Sequence, residues 1–80
     1  MYIYKKHGKK LVLAEYLNTC DEYEVEEILI KIFRETIHKK ILPKINIKSI
    51  DDYKIYYIEC PLVVLFVSIF PLSKDILSDL

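Results

Sequence analysis

The longest periodic stretch of the chain lies over 21–42. Val25, Ile28, Leu29, Ile32, Phe33, Thr36 and Ile37 recur at the i, i+3, i+4 spacing that gathers side chains on one face of an α-helix. Glu27, Lys31, Glu35 and Lys39 stand four apart with alternating sign. That is a solvated face, on which each pair adds roughly 0.2–0.5 kcal/mol. Two capping signals open the run, Thr19 with Glu22 and Asp21 with Glu24. With Asp21 as N-cap, Cys20 and Val25 form a hydrophobic staple. Glu22, Glu24, Glu26 and Glu27 suit the positive end of the helix dipole, and Arg34, His38, Lys39 and Lys40 suit the negative end. Pro43 disfavours helical geometry at Leu42 and stops the helix there. Tyr23, Ile30 and Ile41 flank the stripe, where they widen the core contact or meet a second subunit.

Before the helix, 1–17 reads as a hairpin. Gly8 is the only glycine and stands where a tight turn needs positive φ. Taking His7-Gly8 as the two-residue loop sets Tyr4 opposite Leu11, Ile3 opposite Val12 and Tyr2 opposite Leu13. Tyr2, Tyr4, Leu11, Leu13 and Leu17 then share one face; Met1, Ile3, Val12, Ala14 and Tyr16 share the other. Both faces are apolar, more than one layer of packing requires, so something should cover the second.

After the helix, 44–50 alternates weakly and Asp51-Asp52 reads as a turn. The Tyr- and Ile-rich run 53–59 is a strand. Cys60-Pro61 breaks it with a turn longer than two residues. The run 62–70 is apolar on both sides and suits a central strand. Pro71 ends it, and Ser73 caps a short last helix with Leu72 and Leu77 as a staple. The order is ββα, then a two- or three-stranded antiparallel segment and a short α (ββαβββα): an α+β fold, one domain over 1–80, with an antiparallel sheet and the long helix packed on one face.

Composition adds a constraint. An 80-residue chain that is 52% apolar carries more apolar material than a small monomer easily hides, so a homodimer is expected. Net charge is zero, so no global field draws the chain to nucleic acid or to an acidic membrane. Cys20 and Cys60 are the only cysteines, with no metal-ligand spacing, and read as reduced, mostly buried thiols. No signal-peptide pattern opens the chain, and the longest apolar run is too short for a spanning helix. The expected location is intracellular and soluble, in the cytoplasm of a cell or host cell. Abundant Ile and Lys with a single Arg fit an AT-rich genome.

Little in the chain carries chemistry. One glycine cannot build a phosphate-binding loop. Asp51 and Asp52 lack a third acid nearby for a metal, and no serine has nucleophile context. An active site would need His38, Glu59 and a cysteine to converge. Tyr2-Ile3-Tyr4 followed by Gly8 resembles the opening hairpin of GIY-YIG nucleases over less than a quarter of the chain. Glu15-Tyr16-Leu17 stands where the second tripeptide belongs, and Arg34 and Glu59 do not fit the catalytic places, so that family is not adopted.

The chain is therefore expected to be a small non-enzymatic macromolecule-binding protein without metal or cofactor. It would be a homodimer with an unidentified protein partner, of the kind found among viral or mobile-element accessory proteins acting on a host factor. Tyr2, Tyr4, Tyr23, Ile30 and Ile41 are its candidate interface. The alternative is a nucleic-acid-binding protein. Lys5, Lys6, His7, Lys9 and Lys10 form a basic hairpin tip able to contact phosphates, and tyrosines such as Tyr2, Tyr4, Tyr53, Tyr56 and Tyr57 could stack on bases. Lysines at a hairpin tip also block edge pairing, a purely structural use.

Overall fold

Each apolar pattern read above becomes an element of the expected type. The computed structural model describes residues 1–18, 21–38 and 42–80. The order is β1 (Tyr2–His7), β2 (Lys10–Tyr16), α1 (Glu22–Ile37), β3 (Asn46–Ile50), β4 (Tyr53–Glu59), β5 (Val64–Ser68) and α2 (Lys74–Asp79). The strands form one sheet in the order β2-β1-β5-β4-β3, with every neighbouring pair antiparallel. The N-terminal hairpin and the β3-β4-β5 meander join through β1 and β5, whose register sets Tyr4 opposite Phe66. β2 and β3 are the two edges, so the segment holding α1 carries the chain from one edge to the other.

α1 begins where its cap predicts. The Asp21 carboxylate accepts from the Tyr23 N–H at 2.9 Å. The buried stripe is Val25, Leu29, Ile32 and Phe33, which pack with Ile3, Ile58, Leu65 and Val67 of the sheet. The helix ends earlier than Leu42. His38 turns left-handed, with φ 54°, and its N–H donates to the Arg34 carbonyl at 2.9 Å, which closes the last turn before Pro43 has any say. Lys39 and Lys40, expected in the last turn, Ile41 on the flank, and Thr19 and Cys20 at the start lie outside the described residues.

The hairpin closes one residue later than expected. Gly8-Lys9 is the loop, and His7 pairs with Lys10. Gly8 has φ 61° at the first loop position and Lys9 does not follow it into positive φ, the pattern of a type II′ turn. Tyr4 therefore faces Leu13 and Lys5 faces Val12. The register then shifts between Ile3 and Tyr4, so Ile3 faces Glu15 and Tyr2 faces Tyr16. Ala14 is the extra residue of a β-bulge, which reverses the faces beyond it. Tyr16 joins Tyr2, ring centroids 4.9 Å apart, and Leu17 joins the core beneath α1. Both placements are opposite to those expected from an unbroken alternation.

The second face is covered by the chain itself. After β5, Ser68 Oγ donates to the Phe70 carbonyl at 2.7 Å, and the chain turns back across the sheet. Leu72 and Ile76 pack with Tyr4, Ile55 and Phe66 in a core separate from that under α1. Three side chains from the sheet hold this segment. The Tyr4 hydroxyl accepts from the Leu72 N–H at 3.3 Å. Lys6 Nζ donates to the Leu80 carbonyl at 2.5 Å, and Lys48 Nζ to that of Asp79 at 3.4 Å. The two ammonium groups stand at the negative end of α2, whose N-cap Ser73 accepts from the Ile76 N–H at 3.3 Å.

Candidate functional site

The basic tip does not act as one cluster. Side chains alternate across a strand, so Lys5 and Lys6 leave opposite faces of β1. Lys5 lies on the α1 side with His7 and with Lys10, which pairs with His7. Lys6 lies on the α2 side, half-buried, and is committed to the carbonyl of Leu80. Lys9 sits in the turn. His7, Gly8, Lys9 and Lys10 are exposed.

The five expected interface residues are scattered. Tyr4 is buried beneath α2 in the chain's own core, and this removes it from any outer surface. Tyr2 is half-buried against Tyr16. Tyr23 is 91% exposed in the first turn of α1. Ile30 is half-buried and lines a shallow groove with Arg34, His38 and Leu42 on the outer side of α1. Ile41 lies outside the described residues.

Sequence reasoning passed over a surface that the fold leaves incomplete. Every residue of β2 except Leu11 is exposed. Leu13 (53%) and Tyr16 (54%) stand on the α2 side, and Val12 (38%) stands on the α1 side. α1 lies over β4 and β5, and neither core extends fully across β2. The strand is thus apolar, at an edge, and open on both faces. The signal was present in the apolar alternation on both faces of 11–14. It pointed to missing cover without saying which strand lacks it.

A cleft of about 400 Å³ lies on the α2 side, lined among others by Lys6, Lys48, Tyr57, Glu59, Cys60 and Leu80. Its two lysines already serve the end of α2. Burial pushes the Cys60 thiol up, which disfavours the nucleophilic thiolate. His38 lines the groove on α1 and Glu59 and Cys60 line the cleft, so the three do not meet. Among the described residues no three His, Cys, Asp or Glu side chains gather in a way that would hold a metal ion. Asp51 and Asp52 form the β3–β4 turn, at φ 48° and 68°. No helix among the described residues is long and apolar enough to cross a membrane. Comparison with protein-family models, with curated proteins and with solved structures finds no match to this chain.

Proposed function

We propose that the chain is a small non-enzymatic macromolecule-binding protein that works as a homodimer. The observation that carries this reading is the exposed apolar edge strand β2. An apolar edge open on both faces is a liability in a free monomer, because its unpaired backbone groups recruit another strand. A protein whose partner is a second copy turns the same property to use. Exposed Tyr23, Leu42, Leu62 and Phe70 lie on other parts of the chain and offer separate contact points for a further protein partner. Sedimentation at micromolar concentration is expected to report about twice the chain mass of 9.6 kDa. A single-chain mass throughout that range overturns the reading.

A second reading, nucleic-acid binding, is favoured by one arrangement: Lys5, His7 and Lys10 share a sheet face beside Lys9 in the turn. Cations grouped at the end of a two-stranded ribbon can meet successive phosphates.

A further inference from the structure

We propose that two copies join edge to edge through β2, in an antiparallel register centred on Val12, so that two five-stranded sheets become one continuous sheet. This rests on the homodimer reading above and assigns its interface.

Backbone geometry selects the register. The two-residue loop Gly8-Lys9 is closed by His7 and Lys10, the pair that exchanges both backbone hydrogen bonds in such a hairpin. Hydrogen-bonded and non-bonded pairs alternate along an antiparallel ladder. Lys10 and Val12 therefore direct their peptide groups toward β1, and Leu11 and Leu13 direct theirs to the free edge. A two-fold axis perpendicular to the sheet at Val12 sets Leu11 of each copy opposite Leu13 of the other. Each such pair exchanges an N–H and a C=O in both directions. Val12 then meets Val12 across the axis as a close, non-bonded pair.

Side chains agree with that choice. Leu11 and Leu13 of the two copies interleave on the α2 side, and the two Val12 side chains touch on the α1 side, so exposed apolar groups on both faces gain cover at once. Lys10 precedes this segment and Glu15 follows it. Antiparallel pairing sets Lys10 of each copy near Glu15 of the other, at both ends of the contact, while parallel pairing would set like charges together. The bulge at Ala14 confines regular pairing across the axis to 11–13 and twists the strand beyond. The opposite edge, β3, exposes Ile47 along with Lys48 and Ser49, and has its Lys48 side chain engaged with the end of α2. Lysine on an edge discourages further strand addition. The two-fold contact uses the same β2 edge on both copies, so the pairing closes at two.

The test is a cysteine at the axis. In a Cys20→Ser, Cys60→Ser background, Val12→Cys sets two thiols on a pair whose Cα atoms are about 4.5 Å apart in this type of ladder. That lies within the range a disulfide spans. Mild oxidation at micromolar concentration is expected to link most of the Val12→Cys chains into covalent dimers, and few of the Tyr16→Cys chains. Leu13→Lys in the otherwise native chain is expected to weaken association at least tenfold without lowering the melting temperature measured at a concentration where both are monomers. A dimer by sedimentation that neither links through Val12→Cys nor weakens with Leu13→Lys overturns this interface and leaves the homodimer reading standing. A native chain that is monomeric throughout removes both.

Discussion

Gly8 is the one position where backbone conformation alone dictates the residue. A Cβ built there meets nothing within 4 Å, so no neighbour would clash with a side chain. Its φ of 61° is the constraint, since an L-residue held at such a sparsely populated backbone position costs about 1–3 kcal/mol. Gly8→Ala is therefore expected to lower unfolding free energy by about that amount, measured by urea titration. A loss of only a few tenths would mean that the loop has reverted to another turn type. Asp51, Asp52 and His38 also carry positive φ without glycine. Asp and His are among the residues that tolerate it best, and the β3–β4 turn needs positive φ at both loop positions, as a type I′ hairpin does.

The two helices are held by different means, and this separates their predicted mutants. α1 is held by an apolar stripe. Phe33 is buried among residues of α1 and the sheet, so Phe33→Ala should cost about 3–5 kcal/mol, enough to unfold a marginal domain. Near-native melting of that variant would show that α1 faces the other way. α2 is too short to hold itself and depends on its anchors. Tyr4→Phe keeps the ring between α2 and the sheet but leaves the buried Leu72 N–H without its acceptor. The expected loss is about 1–3 kcal/mol. Faster amide exchange in the α2 segment than in α1 would locate that loss in α2. An unchanged melt with unchanged exchange would mean that the hydroxyl does not anchor the helix.

At the scale of the whole molecule, the sheet decides which apolar surface stays exposed. β1, β5 and β4 lie inside, α1 covers β4 and β5 on one side and α2 packs on the other, and β2 is one of the two edges left open. Dimerisation tested by sedimentation addresses that surface, with doubling of the mass as the expected result. The nucleic-acid reading makes its own prediction through salt. Phosphate contacts release counterions, so affinity for duplex DNA should fall steeply with ionic strength, and each lysine lost should flatten the log–log slope by about 0.9. The fold refines which lysines matter. Lys5→Gln, Lys9→Gln and Lys10→Gln should each flatten the slope. Lys6→Gln should instead loosen α2, because Lys6 serves the Leu80 carbonyl. No shift in a titration at about 50 mM salt, where such binding is strongest, ends this reading.

Periodicity, caps and turn residues are local. They were legible in the chain: the buried stripe of α1, the Asp21 and Ser73 caps and the Asp51-Asp52 turn stand where those patterns put them, and the buried β5 lies within the expected run 62–70 but is shorter, with Leu62 and Phe70 exposed at its ends. The bulge at Ala14 left no such mark, because a one-residue insertion in a ladder is defined by the partner strand and not by the bulged one. It reversed the faces of Tyr16 and Leu17. Strand order was equally silent, since the pairing of β1 with β5 joins residues at opposite ends of the chain. That pairing put Tyr4 under α2 and turned Lys6 from a member of a basic tip into an anchor. The apolar excess was visible in the composition. Where it would surface depended on which strand the helices failed to cover, and that follows from long-range packing that no local pattern encodes.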